Sequence, residues 1–153
     1  MTIESNDLTS KMAVWRGYLQ THATLVRLLE AALQKEQGLA LIWYDALHHL
    51  NGASQWGLRL QELADAINLS QSGLTRLLDR MTEEGLVERR PCSEDRRGLY
   101  AVITPMGRTQ LAQATPVYQQ VLDEHFLHYL SCEEVHALLR VFTNIEESHS
   151  DHK

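Results

Sequence analysis

Signatures of catalysis are missing from this chain. It has no G-x-S-x-G nucleophile elbow, no glycine-rich phosphate loop and no H-E-x-x-H pair, and no nucleophile lies at motif spacing from a base. An enzyme is not the expectation, and no cofactor is implied. Cysteine is scarce: Cys92 and Cys132 are the two present, at no metal-ligand spacing, and they argue for no disulfide. No apolar run approaches the roughly 18 residues that cross a bilayer. The start, MTIESNDLTSK, has neither the basic residues nor the apolar stretch of a secretory signal. A soluble, cytoplasmic protein with no membrane partner is the expectation. At 153 residues, 44% of them hydrophobic, the chain is long enough for one domain with its own core.

Positive charge is also short. Fourteen Lys+Arg face twenty Asp+Glu, for a net charge of -6, which taken globally argues against a nucleic-acid partner. The distribution reverses that. Residues 76–108 hold seven basic residues against six acidic ones, all seven being arginine, whereas residues 1–75 hold 5 against 7 and residues 109–153 hold 2 against 7. A local basic surface is therefore compatible with an acidic chain.

What is present is mostly helical periodicity. From about Met12 to Lys35, Val14, Leu25, Leu28, Leu29 and Leu33 recur at helical spacing, with Gly38 as a stop. A second helix from Leu41 to Leu50, apolar nearly all round, ends at the turn signal Asn51-Gly52. Leu60, Leu63, Ala64 and Ile67 mark a short third helix, Asn68 breaks it, and Ser70 caps the next. There Leu74, Leu77, Leu78 and Met81 form one stripe and Gly85 takes the position just past the end. The opposite face carries Ser72, Arg76, Asp79, Arg80 and Glu83. Two helices about a short turn, the second with a polar face, read as helix-turn-helix.

The period then changes to two. Residues 86–90 and 99–103 are strand-like around a loop bounded by Pro91 and Gly98, and Trp56–Leu60 offers a third, edge strand. Helix-turn-helix followed by a hairpin is a winged helix. Thr104-Pro105 opens a fifth helix, expected to reach Leu130 with a kink near Thr115, ahead of Pro116. Ser131 and Glu134 form a capping box for a last helix carrying Val135, Leu138, Leu139, Phe142 and Ile145, and the tail HSDHK is expected to fray. The expected fold is mainly α with a small β-hairpin: one domain over 1–153, a DNA-binding lobe at 41–104, and dimerisation helices at 12–40 and 105–147. The outer helices carry long apolar stripes with no second domain to cover them, so a homodimer is expected, with two recognition helices about 34 Å apart on a pseudo-palindromic site.

Residues 62–107, ELADAINLSQSGLTRLLDRMTEEGLVERRPCSEDRRGLYAVITPMG, resemble the multiple-antibiotic-resistance regulator (MarR) family. The shared pattern is S-x-S-G-L-T-R-L-x-D-R, E-x-G-L-V-x-R, D-x-R and a strand into T-P-x-G. The resemblance implies a homodimeric winged-helix transcription factor, usually a repressor, often released from double-stranded DNA by a small ligand or an oxidant. Met106 departs from the pattern, standing where the family commonly has an acid at a helix start.

On the recognition helix, Ser70, Gln71, Ser72, Thr75 and Arg76 lie on or near the exposed N-terminal side, where hydroxyls, amides and an arginine fork suit base edges or phosphates. Arg80 is either a DNA contact or a structural partner of Asp79 and Glu84. In the wing, the family's D-x-R pattern implies Arg97 as the minor-groove residue and Asp95 as its positioner, with Arg96 on phosphate. Arg89 and Arg90, at the hairpin base, read equally as phosphate contacts or intramolecular ion pairs. Trp15, His22, Trp43, Asp45 and His48 come from helices that could line an effector pocket suited to a small aromatic or carboxylate ligand. Cys92 is the redox candidate, although Glu94 and Asp95 lie as near it as Arg90 does, and Cys132 is expected to pack. Glu124, His125 and His128 share one helix, with His22 and His48-His49 elsewhere, but no metal site is assigned and the histidines read as surface or packed residues. The alternatives are a redox- or zinc-responsive regulator of the same fold, or a winged-helix protein-interaction module that does not bind DNA.

Overall fold

The computed structural model describes residues 4–91 and 98–150. Helix α1 (Glu4–Gln37) is followed by α2 (Leu41–Gly52), strand β1 (Leu58–Arg59), α3 (Leu60–Ala66), α4 (Gln71–Glu83), β2 (Val87–Pro91), β3 (Leu99–Ile103), α5 (Pro105–His125), a single 3-10 turn at Leu127–Tyr129, and α6 (Cys132–Ser150). The sheet is antiparallel in the order β1-β3-β2, so the short WGLRL segment does supply an edge strand, pairing Leu58 with Ala101.

The core lies where α1, α2 and α5 meet the winged unit. Leu33, Leu47, Leu63, Leu78 and Met81 are fully enclosed, and β3 adds Ala101 and Ile103 from its inner face. Only the C-terminal half of α1 joins this core, through Leu29 and Leu33. Gly38 ends the helix at φ 60°, and its N–H donates to the Gln34 carbonyl at 3.1 Å. The N-cap of α2 is Ala40, which has no side chain able to cap. Glu30 supplies the acceptor instead, its Oε2 taking the Leu41 N–H at 2.8 Å from across α1.

Several boundaries differ from the sequence expectation. α1 begins at Glu4 rather than near Met12, α2 runs through Asn51 and Gly52, and α6 stays helical to Ser150. α5 remains helical through Pro116, whose ring is exposed, but stops at His125 rather than Leu130. Phe126 leaves the helical region at φ -146°, ψ -60°, with no glycine or proline in the sequence to mark the break. Cys132, expected to pack, is exposed in the single chain, next to the Ser131 that caps this helix start with Glu134.

One joint fixes how α5 leaves the winged unit. Thr104 caps α5 by accepting the Gly107 N–H at 3.0 Å, while its own hydroxyl donates to the Gly85 carbonyl at 2.6 Å and its N–H donates to the Leu86 carbonyl at 3.1 Å. Gly107 lies flush against this junction: a Cβ there would stand 2.2 Å from the Leu86 carbonyl oxygen and 2.9 Å from the Ile103 side chain. Gly107→Ala is accordingly expected to destabilise the fold by about 1–3 kcal/mol or more, since backbone must move to admit one methyl. Denaturant unfolding would measure it.

Candidate nucleic-acid interface

The turn between α3 and α4 is built from local chemistry. Asn68 takes the left-handed conformation at φ 53°, which asparagine tolerates better than most residues. The Leu69 N–H closes back onto the Ala64 carbonyl at 2.9 Å, and Ser70 caps α4 by accepting the Gly73 N–H at 3.1 Å. Leu74, Leu77, Leu78 and Met81 are buried, which turns Gln71, Ser72, Thr75, Arg76, Asp79 and Arg80 outward.

These outward residues are not equivalent. The Gln71 amide donates to Gln61 on α3, and the Thr75 hydroxyl donates to the Gln71 carbonyl at 3.0 Å. Ser72 sits 3.3 Å from the Ser70 hydroxyl. The guanidinium groups of Arg76 and Arg80, one turn apart, have no hydrogen-bond or ion-pair partner among the described residues and flank an open groove of about 460 Å³ beside Trp43 and Ile42. Arg80 thus does not pair with Asp79 or Glu84.

Asp79 has another partner. Its Oδ1 lies 2.8 Å from Arg89 Nη1, and Arg89 Nη2 donates to the Thr75 carbonyl at 3.0 Å. Arg89 thus makes intramolecular contacts that join β2 to the recognition helix. Arg90 pairs with Glu88 on its own strand. Arg89→Lys keeps the charge but cannot span both acceptors, so it is expected to cost about 1–3 kcal/mol of stability. A double-mutant cycle with Asp79→Ala would test whether the loss is the shared contact.

β2 and β3 pair from Val87 with Ile103 to Pro91 with Leu99, setting the wing against α4. Cys92, Asp95, Arg96 and Arg97 lie outside the described residues. Behind β3, the Arg59 guanidinium stands 5.8 Å over the Tyr100 ring.

The five effector-pocket candidates do not share one cavity. Trp15 is 52% exposed and stacks on Tyr18 at 5.8 Å, far along α1. Trp43 lines the groove beside the recognition helix. His48 is exposed and stacks on Tyr44 at 6.1 Å. His22 and Asp45 both line a cavity of about 240 Å³ between α1, α2 and α5, together with Leu25, Leu29, Leu41, Tyr118 and Leu122. Tyr118 was not among the sequence candidates, although it stands seven residues past Leu111 on the inward stripe of α5. Among the described residues no three His, Cys, Asp or Glu side chains gather in a way that could hold a metal, and His125 approaches only Glu124, at 4.0 Å.

Burial pushes the Asp45 carboxyl above its usual range, opposed by His49 and His48 and reinforced by Glu30. Burial also raises the Tyr118 phenol, with Asp45 and Tyr44 adding to the effect. For a carboxyl whose folded-state value is raised, the favourable contribution is complete below the unfolded value and is lost as pH rises through the folded one. Asp45→Asn is therefore expected to raise the melting temperature at neutral pH, with the gain vanishing below the ordinary range of an aspartate carboxyl. Thermal melts across pH 3–8 would check the sign.

A capped recognition helix, a hairpin bolted to it and flanking helices outside the unit together define a winged helix-turn-helix DNA-binding fold. A sequence model described as MarR family matches residues 37–98. AbsC, a MarR family transcriptional regulator from Streptomyces coelicolor, is 30% identical, with 93% of this chain and 95% of that chain covered at a TM-score of 0.84. Sco3205 from the same organism, a MarR family transcriptional regulator solved in complex with DNA, is 26% identical over 92% of this chain and 88% of that one, at a TM-score of 0.83. A cysteine-to-serine mutant of MarR from E. coli, solved with operator DNA, shares the fold at 23% identity and a TM-score of 0.75, over 89% of this chain and 95% of that one. This chain belongs to the MarR family, and is a transcriptional regulator of that class. Among the described residues no helix is long and apolar enough to cross a membrane.

Proposed function

We propose that the chain works as a homodimeric, sequence-specific DNA-binding repressor, released from a pseudo-palindromic operator by a small effector. The observation that carries this reading is the pair of unengaged guanidinium groups, Arg76 and Arg80, on the exposed face of a capped recognition helix. Ser70, Gln71, Ser72 and Thr75 stand beside them as shorter contacts. The wing residues Arg96 and Arg97, with Asp95 as positioner, extend the surface on the sequence pattern alone. That Sco3205, a related MarR family regulator, was solved in complex with DNA supports DNA as the partner.

The dimer rests on the outer helices. Leu8, Met12, Trp15, Tyr18 and Leu19 on α1, and Leu139, Val141, Phe142 and Ile145 on α6, are all exposed in the single chain. So many large apolar side chains on two outer helices exceed what a monomer leaves to water. The division into a DNA-binding lobe at 41–104 and dimerisation helices at 12–40 and 105–147 follows this reading, with residues 4–11 of α1 extending the first of them.

Binding of the chain to its own upstream DNA, compared with random DNA at two salt concentrations, tests the function. A steep fall in affinity with salt is expected, because each phosphate contact releases counterions. Equal affinity for upstream and random DNA would remove the regulator reading. Light scattering in parallel should give twice the chain mass of 17.5 kDa.

A further inference from the structure

We infer that the cavity between α1, α2 and α5 takes a small aromatic amine, bound as its ammonium on the Asp45 carboxylate, rather than an aromatic acid. This deepens the effector reading above and rests on it. It also revises the ligand class: the aromatic part stays and the carboxylate is replaced by a cation.

The cavity's shape limits the ligand first. At about 240 Å³ it is smaller than drug-sized sites, and its walls are mostly aliphatic, from Leu25, Val26, Leu29, Leu41 and Leu122. A single ring with a short substituent fits that volume and lining. Polarity then limits the chemistry. Asp45, His22 and Tyr118 are the polar lining residues, and neither lysine nor arginine is among them. Asp45 has no hydrogen-bond or ion-pair partner among the described residues, so its carboxylate faces the cavity with acceptor capacity unused.

The surrounding charges agree. On α1, Glu30 adds negative potential at Asp45, and its own carboxylate is committed to the Leu41 N–H. On α2, His48 and His49 lie close enough to act on Asp45, but they are exposed and outside the lining. From α5 comes the Tyr118 phenol, packed on Tyr44 with ring centroids 4.4 Å apart. An incoming carboxylate would meet Asp45 with no lysine or arginine among the described lining residues. An incoming ammonium satisfies the one open carboxylate by a charge-assisted hydrogen bond, the stronger class of such bonds.

Three probes of one shape test this: benzylamine, benzyl alcohol and benzoate, titrated calorimetrically at pH 7 into the purified full-length protein. Benzylamine is expected to bind about tenfold tighter than benzyl alcohol, and benzoate more weakly than either. In Asp45→Asn the amine's advantage should disappear, while Leu122→Trp, which fills the cavity, should abolish binding of all three. Asp45→Asn removes a destabilising burial, so loss of the amine's advantage there is not a folding failure. An acid that binds best, an amine no better than the alcohol, no binding by any probe, or amine binding that survives Leu122→Trp would each overturn the inference. Operator release, followed by fluorescence anisotropy of labelled DNA, separates the two claims. Benzoate that binds best and releases DNA overturns the ligand class and keeps the effector role. An amine that binds through Asp45 without releasing DNA supports the ligand class and removes that role.

Discussion

A chain carrying Leu139→Glu and Phe142→Glu is expected to run as a 17.5 kDa monomer and to lose at least about a hundredfold in operator affinity. The two side chains are 59% and 44% exposed in the single chain, on a helix where Val135, Val141 and Ile145 are exposed as well and Leu138 is half-buried. Covering a leucine or phenylalanine contributes roughly 1.5–3 kcal/mol. Two-fold symmetry counts each substitution twice, and each new carboxylate would also have to be desolvated at the contact. The winged unit does not use these positions, since none of them belongs to the buried core. The monomer should therefore keep its helical circular dichroism while binding only half-sites. Sedimentation equilibrium and a fluorescence titration on the operator would read both effects. A double variant that stays dimeric would remove α6 from the interface.

The second large effect is expected from Arg76→Ala. A forked contact to guanine is worth about 1–3 kcal/mol of discrimination, and a dimer loses it in both half-sites, so affinity should fall by about 2–6 kcal/mol at fixed salt. The Arg76 guanidinium has no partner among the described residues, so its removal orphans no group among them and the unfolding midpoint should barely move. That split between binding and stability is what separates Arg76 from Arg89, whose loss must show in the unfolding curve first. If Arg76 touches only phosphate, affinity falls alike for operator and random DNA and the salt dependence becomes shallower. Competition binding against single-base operator variants would distinguish the two.

The winged unit was readable from sequence because its determinants are local. Ser70, Asn68, Gly85 and Thr104-Pro105 each act within a few residues, and the buried stripe of α4 needs only the helical period. The end of α5 was not readable, since no glycine or proline stands at Phe126. The length of α1 was hidden for a different reason: the side chains described in its first half are exposed in the single chain, so no inward stripe defines it.

The effector candidates failed as a set for a geometric reason. Trp43 and Asp45 are two residues apart on one helix, about 200° around its axis, and so must face different spaces. Trp15 and His22 share a face of α1 but are separated by about 10 Å along it. His22 and Asp45 line one cavity only because α1 and α2 pack together, which no spacing reveals. The Arg89–Asp79 bolt is likewise tertiary: ten residues separate the partners, and arginine at a hairpin base looks the same whether it serves the fold or the DNA.

The Thr104 joint has a consequence for regulation. It ties the end of the recognition helix, the last strand of the wing and the first turn of α5 into one rigid wrist, with Gly107 leaving no slack. Swinging α5 then carries helix and wing together without altering the angle between them. On the dimer proposed above, a ligand acting on α5 would change how far apart the two hands stand, not how each one grips. Release should accordingly lower affinity for every operator by the same factor, while the ranking of one half-site sequence over another is preserved.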